Sequence, residues 1–139
     1  MASFCLAGNV ESDNYTLAER LCDILNQTLP VVHIVKYVCL KKTWSAAQEK
    51  LCERNNFDIN EVSKLQCVVW HEDGRYIGGA AAFADYCKNT YSITSDLKLS
   101  TLIQGITKEN AVVVEKMFNE SSADSILLPA EDGTTATQY

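Results

Sequence analysis

Six cysteines, two histidines and one adjacent pair of glycines are the groups in this 139-residue sequence on which chemistry could be built. Cys5, Cys22, Cys39, Cys52, Cys67 and Cys87 stand 13 to 20 residues apart with no CxxC. Zinc sites and small disulfide frameworks need tighter, paired spacing, so these thiols read as reduced, largely buried small hydrophobes of a reducing compartment. Cys87, near the end of a predicted helix, has the best chance of the six of being exposed and hence reactive. His33 falls in a strand-like stretch and His71 at a turn; neither has a second histidine or an acidic cluster at ligand spacing, so no metal is expected. Gly8-Asn9-Val10-Glu11-Ser12 offers a single glycine after the first strand. A dinucleotide cradle requires GxGxxG there and an acid about 20 residues on, so no nicotinamide cofactor is expected. No histidine paired with an acid and an arginine is present to hold a dicarboxylic acid, and no dehydrogenase chemistry is expected of the chain alone.

The elements that position these groups are clearest around Leu65–Phe83. Cys67-Val68-Val69-Trp70 is a β-rich run, Glu72-Asp73-Gly74 supplies turn chemistry, Tyr76-Ile77 resumes a strand, and Gly78-Gly79 precedes Ala80-Ala81-Ala82-Phe83. The glycine pair permits positive φ and close approach, either of a ligand or of a neighbouring strand. Upstream, Phe4–Ala7 is an unbroken apolar run expected inside a sheet. Leu17, Leu21, Ile24, Leu25 and Leu29 then give a helical stripe from about residue 14 to 28, with Ser12, Asp13 or Asn14 as its cap and Pro30 as its stop. Val31–Leu40 returns as a strand, and strand, helix, strand in succession implies a right-handed parallel crossover. Thr43 is the expected cap of a second helix carrying Trp44, Ala47, Leu51 and Cys52, with residues 57–64 a polar connection. The third helix runs from the glycine pair through about Tyr86. Leu97, Leu99, Leu102, Ile103 and Ile106 suggest one more amphipathic helix, continued through Ala111 to Phe118.

The expected fold is therefore α/β, with a mixed four-stranded sheet ordered 2-1-3-4 and helices on both faces. Residues 1–118 form one domain, and 119–139 an acidic, disordered tail in which Ile126-Leu127-Leu128 could dock or bind a partner. Net charge is −6, of which Glu120, Asp124, Glu131 and Asp132 contribute four, leaving −2 for residues 1–118. A nearly balanced, slightly acidic domain is not built to bind nucleic acid. No apolar run approaches a membrane span and no secretory leader is evident, so a cytoplasmic protein without membrane association is expected.

This order of elements resembles the thioredoxin fold, and the hairpin ending in Gly78-Gly79 resembles its glutaredoxin branch (βαβ-α-ββ-α). That resemblance implies a nucleophilic cysteine at the start of the first helix, a cis-proline before the third strand whose neighbouring backbone pairs with the ligand, and an acid after the glycine pair. This chain has Ser12-Asp13-Asn14-Tyr15, Lys64-Leu65-Gln66 and three alanines at those places. Without the thiolate, disulfide exchange cannot start. Phe4-x-Leu6-Ala7-Gly8, Tyr15, Leu29-Pro30, Trp44, Leu51-Cys52-Glu53-x-Asn55, Trp70, Gly78-Gly79-x-x-x-Phe83, Tyr91 and Glu109-Asn110 are together similar to the N-terminal domain of putative malate dehydrogenase 1B proteins, in which a dehydrogenase-type region follows. A retained frame without its reactive groups, with an added C-terminal helix and a tail that can make contacts, reads as a non-catalytic thioredoxin-like module that binds protein, and the family resemblance adds a ciliary or flagellar assembly as its setting. Its alternatives are a residual thiol-redox or glutathione-binding protein and an accessory module of a malate dehydrogenase-like enzyme. No catalytic, cofactor-binding or metal residue is assigned; Asp13, Tyr15, Trp70, Gly78, Gly79 and Cys87 mark the relic ligand turn or an interaction surface.

Overall fold

A computed structural model describes residues 3–94, 100–120 and 126–129. β1 (Ser3–Asn9), α1 (Asp13–Thr28) and β2 (His33–Cys39) make the parallel crossover, with Phe4 opposite Ile34 and Gly8 opposite Val38. β3 (Cys67–His71) pairs antiparallel with β1 on its other side, and β4 (Tyr76–Gly78) pairs with β3 at the edge. The run Phe4–Ala7 is central and fully covered, as an apolar stretch with no polar face must be. The four strands take the order 2-1-3-4, and the fold is thioredoxin-like. A fifth strand alters the expected edge: β5 (Leu128–Pro129) lies antiparallel on β2, with Val38 opposite Leu128.

The sheet separates two apolar layers. On one face α1 and α4 (Ala80–Tyr91) bring Tyr15, Leu21, Leu25 and Phe83 against Phe4, Leu6 and Val69. On the other, α2 (Lys41–Asn55) and the short α3 (Ile59–Val62) cover Ala7, Tyr37 and Val68 with Trp44, Leu51 and Val62. The four-residue α3, capped by Asp58, occupies part of what reads as polar connection, because its one buried residue, Val62, closes the second layer.

One local expectation is narrowed to a single residue and two are corrected. Ser12 is the α1 cap, accepting from the Asn14 N–H, so Asp13 lies inside the first turn. Thr43 does not cap α2: the helix begins two residues earlier and its Lys41 N–H is taken by the Glu11 carboxylate at 2.7 Å, a partner 30 residues away. β2 begins at His33, because Val32 is held in a turn by its own N–H to the Leu29 carbonyl and by the Asn26 amide on its carbonyl.

α5 (Ser100–Glu120) is continuous where two segments could have been drawn. Leu97 and Leu99 of its expected stripe lie outside the described residues, and the inward side chains include Thr107, Val114, Met117 and Phe118. Of the tail, residues 121–125 and 130–139 lie outside the described residues. Leu127 is 1% exposed in the second layer and Leu128 packs against the first, so the apolar triplet closes the β2 edge from both faces.

His71 ends β3 with its ring 5.0 Å from that of Phe4 and 5.5 Å from that of Tyr86. Burial lowers its pKa, Arg75 lowers it further and Asp73 opposes them. A base whose folded pKa is depressed is stabilising above its unfolded value, near 6.5, and loses that contribution as pH falls through the folded pKa. The urea midpoint is expected to fall between pH 7.5 and 5, and less so in His71→Leu; equal falls in both proteins would remove His71 as the source.

Candidate functional site

The start of α1, the start of β3 and the glycine pair converge, as the resemblance implies, on one groove of about 340 Å³. Asn14 of α1, Gln66 and Cys67 at the start of β3, Gly78 and Gly79, Ala80–Ala82 of α4, and Glu61, Lys64 and Tyr76 are among the residues that line it. Gly78 has φ +134, and a Cβ there would meet Ala82 Cβ at 2.9 Å, so glycine is required by backbone and by space. Gly79 precedes α4 without a side-chain cap.

The groups a ligand would need are already engaged by the chain itself. The Leu65 carbonyl, which borders the missing cis-proline position, accepts the Trp44 indole N–H at 2.8 Å and the Gln48 amide at 3.1 Å. The Gln66 carbonyl accepts the Asn9 N–H at 3.0 Å, and its side-chain oxygen accepts the Asn9 amide at 3.1 Å. Cys67 sits under the glycine turn, its thiol directed at the Asn14 carbonyl 3.7 Å away and reached by the Ala80 N–H. Burial pushes that thiol up to about 12, against the smaller lowering by Ala80. A helix N-terminus normally depresses a thiol pKa, but here desolvation dominates.

At the first turn of α1, α5 occupies the approach. The Thr107 hydroxyl donates to the Asp13 carboxylate at 2.9 Å and shares a 2.6 Å hydrogen bond with the Thr16 hydroxyl. One turn further on, Asn110 donates to Glu19 at 3.3 Å, and the other Glu19 oxygen accepts the Tyr15 hydroxyl at 3.1 Å. A partly buried polar row of this kind, with the Thr16–Thr107 pair as its buried member, fixes the register of α5 on α1.

The six residues singled out in the sequence do not form one surface. Gly78 and Gly79 line the groove; Asp13 lies at the α1 start with Thr107 on it. Tyr15 is fully buried, its hydroxyl pKa well above the ordinary value through burial and Glu19. Trp70 is buried within the second layer, its ring 5.7 Å from Phe57, and presents no anchor to a partner. Cys87, the thiol with the best chance of exposure, is fully buried among α1, α4 and the sheet, the other five being buried too, and burial pushes it up to about 12. It is a core residue because α4 continues to Tyr91, which keeps position 87 on the inward face. Sequence reasoning missed Gln48, Gln66, Asn9 and Thr107, polar residues whose partners are far along the chain. Among the described residues no three His, Cys, Asp or Glu side chains gather closely enough to hold a metal ion, and no helix is long and apolar enough to cross a membrane.

Residues 3–125 match the family model described as the putative malate dehydrogenase 1B N-terminal domain. Similar curated proteins, each called putative malate dehydrogenase 1B, come from Branchiostoma floridae (29% identical over 126 residues, 86% of this chain and 23% of the relative) and Bos taurus (27% over 138 residues, 94% and 28%). The Homo sapiens protein of that name is 25% identical over 138 residues, covering 94% and 26%. The chain thus spans about a quarter of the length of the curated relatives it matches.

Proposed function

The chain belongs to the family of the putative malate dehydrogenase 1B N-terminal domain, and from that premise we propose that it is a non-catalytic, thioredoxin-like module that binds protein as an adaptor or structural component. The observation that carries this reading is the internal use of the relic groove: the Leu65 carbonyl is held by Trp44 and Gln48, and the Gln66 carbonyl by Asn9. A ligand pairing there would have to displace partly buried hydrogen bonds that the chain already makes. The glutaredoxin thiolate, cis-proline and acid are absent from the same groove, which removes the reason to displace them. The cytoplasm, with a ciliary or flagellar assembly as the setting, is the proposed location.

A second reading rests on the names of the relatives. About three quarters of their length lies beyond the matched region and they are called putative malate dehydrogenases, so the module would serve as an accessory domain to a dehydrogenase-type polypeptide. Both readings assign it contacts, not turnover.

Capture from ciliated tissue with the whole chain as bait, followed by quantitative mass spectrometry, tests them. A defined assembly recovered in fixed proportion supports the adaptor reading, and a dehydrogenase as sole stoichiometric partner supports the accessory one. A glutathione-coupled mixed-disulfide reduction assay is expected to read background for the wild type and for Cys87→Ser alike. Turnover in the wild type that disappears in the serine variant would replace both readings with a thiol enzyme.

A further inference from the structure

The outer edge of β2 is only partly used. β5 pairs with Tyr37 and Val38, whereas His33–Lys36 of the seven-residue strand have no strand against them on that side among the described residues. His33 is exposed and Ile34, Val35 and Lys36 are half-buried. Beside this open half lies a hollow of about 160 Å³, walled by Cys22, Asp23 and Asn26 of α1 and by His33, Ile34 and Lys36 of β2. An open sheet edge is a template for another strand, and proteins ordinarily cover or charge it.

The short cover already in place shows what fits. Leu127 inserts into the α2 layer and Leu128 into the α1 layer, in antiparallel register with Cys39 and Val38 respectively by extension of the observed pairs. Pro129 opposite Tyr37 has no N–H, so the ladder weakens where it would need to continue. A segment in the same register without that proline would run on past Lys36, Val35 and Ile34, its side chains alternating between the α2 face and the hollow. The Lys36 ammonium is 2.7 Å from the Asp23 carboxylate, so the hollow presents a paired cation and anion with the Asn26 amide close by. A side-chain amide, with one acceptor and two donors, matches that mixture better than a charge of either sign.

We propose that the β2 edge is the protein-docking site of this module: an extended antiparallel segment of a partner displaces Ile126–Pro129 and pairs along His33–Val38, with apolar residues toward α2 and Asn or Gln toward the Asp23–Lys36 hollow. The strap formed by residues 126–129 is the resident competitor. This inference rests on the protein-binding reading and names its surface. It is strand addition, in which main-chain bonds supply affinity and alternate side chains supply specificity.

The test uses the whole chain and a fluorescent peptide, acetyl-Ile-Leu-Leu-Val-Gln-Val-Gln-amide, whose glutamines fall opposite Lys36 and Ile34 in that register. Leu127→Asp evicts the strap, and Leu127→Ala weakens it without adding charge. By fluorescence anisotropy, the peptide is expected to bind Leu127→Asp at least tenfold more tightly than wild type, with Leu127→Ala between them. Amide exchange is expected to slow at His33–Lys36 on binding. Equal affinity for all three proteins, or slowed exchange at β4 instead of β2, overturns the proposal. So does a concentration-dependent wild-type dimer that Leu127→Asp abolishes, since the strap would then pass between two copies. Any of these results leaves a partner captured by the wild-type chain standing, and so separates failure of the surface from failure of the protein-binding reading.

Discussion

In the native protein none of the six thiols is expected to react with a disulfide reagent such as Ellman's in the time an unfolded cysteine reacts to completion. All six are buried and free. Burial pushes Cys5, Cys39, Cys67 and Cys87 up to about 12, with Glu72 adding to the effect at Cys5 and Thr43 and Ala80 partly offsetting it at Cys39 and Cys67. Cys22 lies well above the ordinary thiol value, despite the opposing charge of Lys36, and Cys52 is raised by burial and then Asp58. The thiolate is the reacting species, so a rise of about three units lowers the reactive fraction on the order of a thousandfold, before steric exclusion is counted. Adding denaturant should release all six at once. The same shifts give stability a direction in alkali: a thiol kept protonated by burial contributes fully below the unfolded pKa, near 8.5, and loses that contribution as pH rises toward the folded value. The urea midpoint should therefore fall from pH 8 to pH 10. A single fast-reacting thiol in the folded protein, Cys87 above all, would restore the residual-redox reading.

The elements legible in the sequence are those whose signal is local. The apolar run at Phe4–Ala7, the three-and-four spacing of Leu21 and Leu25, and the Gly78-Gly79 turn each reflect a backbone or burial requirement met within a few residues. They suffice for the strand order and for the convergence of the groove. What the sequence could not show is who satisfies whom across the fold. Glu11 caps α2 from 30 positions away, Trp44 and Gln48 seal the Leu65 carbonyl, and Thr107 reaches Asp13 across 94 positions. Each pairing is decided by tertiary proximity, and an isolated glutamine or threonine carries no periodicity to announce it. Cys87 shows a related limit: helix boundaries are the least determined feature of a sequence, and its place on the inward face is fixed by α4 running to Tyr91, not ending near Tyr86. The docking of the strap was legible, but not its pairing as a strand. Ile126-Leu127-Leu128 is too short for a strand pattern, and a two-residue ladder is specified by the edge it meets.

Gly8→Ala is expected to be among the most destabilising single-methyl additions this chain could suffer. Gly8 closes β1 where the start of α1 and the start of β3 come together beneath the groove, and its backbone is ordinary strand, so conformational freedom is not the reason for glycine there. The reason is space. A Cβ would lie 2.6 Å from Tyr15 Cδ2, 2.7 Å from Cys67 Cβ and 3.1 Å from the Gln66 carbonyl oxygen. None of these neighbours yields readily. Tyr15 is fully buried with its hydroxyl bonded to Glu19, Cys67 is pinned under the glycine turn, and Gln66 is bonded to Asn9 through both backbone and side chain. Overpacking of a tight core commonly costs 1–3 kcal/mol, and with three fixed neighbours the loss is expected at or above ~3 kcal/mol. That is a large part of the roughly 5–15 kcal/mol available to a domain of this kind. Gly105→Ala supplies the opposite sign in the same protein: nothing lies within 4 Å of its Cβ position on α5, so replacing a helical glycine should stabilise by about 0.4–1 kcal/mol. Urea unfolding of the two variants against wild type measures both. A Gly8→Ala midpoint within the range of Gly105→Ala would overturn the close packing of β1 against Tyr15 of α1 and Cys67 of β3 from which the loss is expected.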